Sequence, residues 1–156
     1  MVGPSEGCAE DGALFSGEHW HRLDEKGRLT LPAAFRPLVG EVAYVARGLD
    51  GCLFVYPERQ WLAMVRAVGA LSLADPRGRL LKRMVLASNR CTVDGAGRIL
   101  IPAALRAYAC ITEEAVIAGV GDRIEVWAPE RWNAVMSQLQ DAFSGPDAFR
   151  PDSVLP

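Results

Sequence analysis

Two arginines in this sequence each follow an aspartate by four residues, across a segment that contains a glycine. The segments are Asp24-Glu25-Lys26-Gly27-Arg28 and Asp94-Gly95-Ala96-Gly97-Arg98. A guanidinium carries five N–H donors in a rigid plane, so it can grip a carboxylate, a phosphate, or the two acceptors on a guanine edge. Directly after a tight turn, Arg28 and Arg98 fit two roles that can coexist. The arginine can pair with its own aspartate and pin the turn, or it can be presented near the tip of a ribbon with Asp24 and Asp94 as supports. Arg36 and Arg106 each stand four residues after a proline, and from a helix they could meet phosphates or simply face solvent. Lys26, a flexible point charge at the first turn, suits a phosphate.

Other chemistries find little in the chain. Gly95-Ala96-Gly97 and Gly119-Val120-Gly121 begin like dinucleotide loops, but the third glycine position holds Leu100 in one and Ile124 in the other. No phosphate loop of the G-x-x-x-x-G-K type and no H-E-x-x-H is present. His19 and His21 are the only histidines, with no further ligands close in sequence, and Cys8, Cys52, Cys91 and Cys110 lack metal-like spacing. We therefore expect no enzyme, metal, cofactor or small-molecule substrate, and we read the cysteines as reduced thiols in a cytoplasmic protein. No apolar run is long enough for a transmembrane helix, and the N-terminus lacks the pattern of a secretory signal. The net charge is −2, but acidic ends hide a basic body. Without residues 1–18 and 141–156, 16 basic and 12 acidic residues remain, a net charge of +4 that permits binding to phosphate.

The arginine motifs belong to an internal repeat. Residues 24–36 (DEKGRLTLPAAFR) align with 94–106 (DGAGRILIPAALR) at seven identical positions of thirteen. Further on, RGLDGCLFVY (47–56) aligns with AGVGDRIEVW (118–127), and Trp61 with Trp132. Two copies are too few for a solenoid and suit a duplicated half-domain whose copies pair within one chain.

Local chemistry predicts the elements that hold the motifs. GEHWHRLD alternates as a strand, Gly27 can supply positive φ at the turn that follows, and Arg28–Leu31 alternates as a second strand. Pro32 ends that strand and opens a short helix to Leu38. A hairpin of Val42–Arg47 and Cys52–Tyr56 leads to a helix from Pro57, with Trp61, Met64, Val65, Val68 and Leu71 on one face. Asp75-Pro76 caps a linking helix to about Leu86, whose run of Arg77, Arg79, Lys82 and Arg83 reads better as a solvated or subunit-contacting face than as a phosphate site. The second copy repeats the plan: strands Asn89–Val93 and Arg98–Ile101, a helix from Pro102, a hairpin over Ala115–Trp127, and a helix from Pro129 to about Phe143. Trp61 and Trp132 head apolar helical stripes and are expected in the core or an interface.

The D-x-x-G-R strand–turn–strand leading into a short helix resembles the swapped-hairpin half-barrel of AbrB-type regulators and MazE-type antitoxins. Two copies in one chain, with RGLDGCLFVYPERQW, VDGAGRILIPAALRAYA and GVGDRIEVW, resemble the MraZ family of transcriptional regulators, over roughly Leu14 to Phe143. The resemblance implies an α+β, β-rich fold in which two tandem AbrB-like half-domains pair into a small swapped-hairpin, double-psi-like barrel with flanking helices. It also implies binding of short promoter direct repeats in double-stranded DNA, usually as a repressor of the division and cell-wall gene cluster. A ring-shaped homo-oligomer associated with the nucleoid is implied too.

By the same resemblance, the family's D-x-x-x-R pair falls on Asp24/Arg28 and Asp94/Arg98, and the relatives' further contact arginine on Arg36 and Arg106. The family's basic residue three before the aspartate is His21 in one copy and Cys91 in the other, and the first copy's Lys26 is matched by Ala96. Those departures predict unequal contacts from the two halves. The expected organisation is a flexible extension (1–13), a first repeat with linking helix (14–86), a second repeat (87–143) and a disordered tail (144–156). An antitoxin-like protein-binding module with autoregulatory DNA binding is the rival reading; the short tail, poor in apolar anchors, speaks against it.

Overall fold

The computed structural model describes residues 14–146 and 148, so the extension expected at 1–13, Cys8 within it, and most of the tail lie outside the described residues. The first copy supplies β1 (Phe15–Arg22), β2 (Arg28–Thr30), α1 (Arg36–Val39), β3 (Val42–Arg47), β4 (Leu53–Pro57) and α2 (Glu58–Gly69). A helix α3 (Pro76–Leu86) leads to the second copy: β5 (Asn89–Thr92), β6 (Arg98–Leu100), α4 (Ala103–Ala109), β7 (Glu114–Gly121), β8 (Ile124–Trp127) and α5 (Pro129–Ala142). At the start of α3 the Asp75 carboxylate accepts from the Arg77 N–H at 2.9 Å, the cap that the sequence announces.

The copies exchange strands. Hairpins β3–β4 and β7–β8 meet at β4 and β8 in the middle of a six-stranded sheet ordered β1-β7-β8-β4-β3-β5. The outer strand β1 of the first copy lies on β7 of the second, and β5 of the second lies on β3 of the first, all antiparallel. The remaining strands form a two-stranded ribbon, β2 with β6, one from each copy. The fold is thus the α+β arrangement of two tandem, interlocked half-domains that the sequence implies.

Alternation along the strands sorts side chains onto two faces. Leu53 and Val55 of β4, Val45 of β3, Ile117 of β7 and Ile124 of β8 point inward, where they meet Leu29 and Ile99 from the ribbon and Phe35 and Leu105 from the short helical segments. Leu29 and Ile99 face each other across β2–β6 with no solvent exposure. Phe54, Tyr56, Val116 and Trp127 point the other way, under Trp61, Val68 and Val85 of α2 and α3. Trp61 is buried and stacks on Tyr44 with ring centres 5.1 Å apart, and Trp132 packs on Trp127, so both tryptophans belong to this outer layer.

Three details differ from the sequence reading. The strands that flank the first turn do not pair with each other: β1 leaves for β7 and β2 for β6, because both neighbours are supplied by the other copy. The helix expected from Pro32 to Leu38 starts only at Arg36, after a turn in which the Phe35 N–H donates to the Pro32 carbonyl. Pro37 explains this, since it has no N–H for the carbonyl of Ala33 and is tolerated only in a first turn. Ala107 at the matching place lets α4 run for seven residues. Leu71, expected on the apolar face of the helix from Pro57, lies beyond α2 and is exposed.

Candidate nucleic-acid interface

The outer face of the β2–β6 ribbon gathers the residues singled out above. With Leu29 and Ile99 buried inward, Arg28, Thr30, Arg98 and Leu100 point outward. Arg28 lies opposite Leu100 and Arg98 opposite Thr30, so the two arginines are diagonal neighbours from different copies.

Each arginine is held by its aspartate. Asp24 Oδ1 accepts from the backbone N–H groups of Lys26 and Arg28, both at 2.9 Å, and Oδ2 accepts from Arg28 Nε at 2.6 Å. Asp94 repeats the set with Ala96 N, Arg98 N and Arg98 Nε at 3.0, 2.9 and 2.8 Å. The backbone N–H of Arg28, with its side chain and the N–H of Lys26, holds the Asp24 carboxyl below its ordinary pKa. The Arg98 and Ala96 groups do the same for Asp94. Arg98 Nη1 also stands 3.7 Å from Asp24 Oδ2, which brings the two pairs into one cluster.

The arginines thus pin the turns, and this geometry is compatible with their presentation on the ribbon. Arg28, engaged through Nε, keeps its Nη end, the part that forms a two-pronged bond to an acceptor pair, while Arg98 shares Nη1 with Asp24. Both side chains are about one-third exposed, at 32 %. Two carboxylates offset two guanidiniums, so the centre of the ribbon is close to neutral. A near-neutral cluster of fixed donors distinguishes partners by geometry more than by charge.

Positive charge is carried at the flanks. Lys26 is exposed at the tip of the first turn, where the second has Ala96, also exposed. Arg36 and Arg106 donate from Nε to the Leu31 and Ile101 carbonyls, each at 3.1 Å. Gly27 and Gly97 adopt φ of 81° and 75°, as the turns require. His21 lies exposed on β1, whereas Cys91 is buried on β5 with its thiol toward the Leu100 carbonyl at 3.3 Å, so the two matching positions are physically different. The basic residues of α3 are not part of the ribbon. Arg79 turns back to the Leu73 carbonyl at 2.7 Å.

The MraZ protein family model, described as antitoxin-like, matches the chain twice, over residues 14–84 and 84–151. The chain belongs to the MraZ family. It is 40% identical to a protein of Desulfitobacterium hafniense over 132 residues, 84% of this chain and 92% of that one. It is 42% identical to proteins of Heliobacterium modesticaldum and Limosilactobacillus reuteri, across 77% and 83% of this chain and 85% and 92% of theirs. All three relatives bear the name transcriptional regulator MraZ.

Two features of this MraZ-family chain escape a reading of the sequence alone. Leu100 is half exposed on the ribbon face where its counterpart is Thr30, and only the strand's phase, visible as alternation around buried Ile99, could have flagged it. Arg131 of α5 donates to the Gly51 carbonyl at 2.7 Å and the Tyr108 carbonyl at 3.2 Å, clamping the terminal helix onto both copies. Its counterpart is Gln60, so the repeat gave no signal for it.

Proposed function

We propose that this MraZ-family chain is a sequence-specific double-stranded DNA-binding transcriptional regulator that acts by occupying a promoter and catalyses nothing. The observation that carries the reading is the pair of aspartate-held arginines, Arg28 and Arg98, set side by side on the outer face of a ribbon built from both copies. A two-stranded ribbon fits the DNA major groove, and an arginine fork matches guanine O6 and N7. Lys26, Arg36 and Arg106 flank that centre and serve the phosphates, which fix register without reading sequence. The names of the relatives support regulation of transcription. In this reading the chain represses its own division and cell-wall gene cluster through short direct repeats, as a ring-shaped homo-oligomer on the nucleoid in the cytoplasm. Exposed Leu62, Leu71, Leu73, Leu80 and Leu86 on and around α2 and α3 offer apolar surface for such self-association.

The test is a binding titration at two salt concentrations, on DNA from upstream of the gene and on a scrambled duplex. Arg28→Ala should cost about 1–3 kcal/mol on the upstream DNA and little on the scrambled one. Lys26→Ala should weaken both alike and lower the logarithmic salt slope by about 1 for each chain engaged. Equal losses from Arg28→Ala on both duplexes would remove the base-reading role.

A further inference from the structure

The arginines that follow the motif reach across the molecule. Arg106 belongs to the second copy, yet its guanidinium lies against the turn of the first: a methyl group placed on Gly27 would stand 2.7 Å from its Cζ and 2.8 Å from its Nε. Arg36 of the first copy lies in the same way against Gly97 of the second. The backbone closes each contact into a ring. The Ile101 N–H donates to the Gly27 carbonyl at 3.0 Å, the Ile101 carbonyl accepts from Arg106 Nε at 3.1 Å, and Arg106 returns onto Gly27. On the other side the Leu31 N–H donates to the Gly97 carbonyl at 2.8 Å, and the Leu31 carbonyl accepts from Arg36 Nε at 3.1 Å. Gly27 and Gly97 are buried by these neighbours. Their lack of a side chain thus serves two ends, a positive φ and room for the opposite arginine.

We propose that Arg36 and Arg106 are positioning residues that act in trans: each holds the turn of the opposite copy in the shape that aims its aspartate-held arginine, Arg106 serving Arg28 and Arg36 serving Arg98. The proposal deepens the DNA-reading role and rests on it for its effect on binding, but the brace itself is a property of the protein alone. It adds to the phosphate role of these arginines and differs from it in one decisive respect. A phosphate needs only a positive charge at that place, whereas the brace needs the Nε donor and the planar group, which lysine lacks. It also crosses copies: damage at Arg106 falls on the first copy's turn at Gly27 and spares the turn of its own copy.

Arg106→Lys and Arg36→Lys are the variants, with the full chain as the protein. The first readout is amide hydrogen exchange without DNA, followed at the N–H groups of Lys26 and Arg28 against those of Ala96 and Arg98, all of which donate to the motif aspartates. Arg106→Lys should speed exchange at Lys26 and Arg28 by about tenfold and leave Ala96 and Arg98 unchanged; Arg36→Lys should do the reverse. The second readout is a double-mutant cycle by fluorescence anisotropy on the upstream duplex. Arg106→Lys should weaken binding on the order of tenfold in the parent and in Arg98→Ala, and less than about twofold further in Arg28→Ala. Unchanged exchange at Lys26 and Arg28, or a change confined to Ala96 and Arg98, overturns the brace. So does an Arg106→Lys loss of equal size in the Arg28→Ala and Arg98→Ala backgrounds. If the parent chain shows no preference for the upstream duplex, the DNA-reading proposal fails, and the exchange arm still decides the brace.

Discussion

Replacing Gly119 by alanine should loosen the interlock of the two copies, because at this residue the backbone of β1 leaves no room for a side chain on β7. Gly119 pairs with Gly17, and a methyl group on it would run into the Ser16 backbone nitrogen, with the Phe15 carbonyl carbon at 2.5 Å and Ser16 Cα at 2.7 Å. These are main-chain atoms, so no side-chain rotation relieves the contact. Gly119 is not among the positive-φ glycines, so alanine meets no backbone penalty and the clash is the whole perturbation. To reach ordinary contact, β1 must retreat by about 1 Å, enough to carry nearby ladder bonds past useful length. Two such bonds lost at about 1 kcal/mol each, with partial withdrawal of Phe15 from a 2 % exposed site, come to about 2–4 kcal/mol. For a chain of this size that lowers Tm by roughly 6–12 °C. Urea and thermal unfolding followed by circular dichroism, at one fixed protein concentration, read the effect directly. Gly95→Ala is the control: nothing lies within 4 Å of its added methyl, and it should stay within about 0.5 kcal/mol of the parent. A Gly119→Ala chain as stable as that control would refute the claim that β1 is pressed on β7 tightly enough to bind the copies together.

Acid should attack the motif turns. Asp24 and Asp94 have folded pKa values below the ordinary 3.8, so their contribution is present above that value and is lost as pH falls through the lower folded values. A chain carrying Asp24→Asn and Asp94→Asn should therefore lose less stability below about pH 4 than the parent, and an unchanged acid limb would contradict the assignment. Thiol reactivity should separate the cysteines. In a Cys8→Ser chain, exposed Cys110 should react with a thiol reagent at once, while the two buried thiols wait for unfolding: burial pushes the Cys52 pKa up to about 12 and raises that of Cys91. Three equally fast thiols would show that the fold opens readily. Light scattering at micromolar concentration should give a mass several times 16.9 kDa, and a clean monomer would remove the ring from the proposed function.

Local rules made most of the fold legible. Turn glycines, the Asp75 cap, prolines at helix starts and alternation around Leu29 and Ile99 place nearly every element, because each depends on residues a few positions apart. The repeat showed that two like halves must pair. What the sequence withheld is which half supplies each neighbour. The turns at Gly27 and Gly97 look like hairpin turns, and only the exchange of β1 and β5 between copies shows that the ribbon is β2 with β6. The short α1 was readable in principle from Pro37, whose effect competes with that of Pro32 five residues earlier. Of the candidate site, the aspartate–arginine pairs were legible because donor and acceptor lie four residues apart. The grip of Arg106 on Gly27 was not, since no local pattern links them.

Strand exchange also gives the ribbon a property that two separate identical half-domains could not share. A ribbon made from two identical copies would present the same face after a half turn. Here the aspartates and arginines keep that symmetry, with Asp24/Arg28 and Asp94/Arg98 bonded almost identically, while the positions around them break it. Lys26 faces solvent where the other turn has Ala96, and half-exposed Leu100 lies opposite Arg28 where Thr30 lies opposite Arg98. The charge of Lys26 favours a phosphate on one side only, and Leu100 offers an apolar contact of the kind that suits a thymine methyl. Under the proposed function, a symmetric pair of arginines inside an asymmetric frame should therefore bind a site in one preferred direction. The direct repeats of the proposed function, which present the same direction each time, would fit such a frame better than inverted ones.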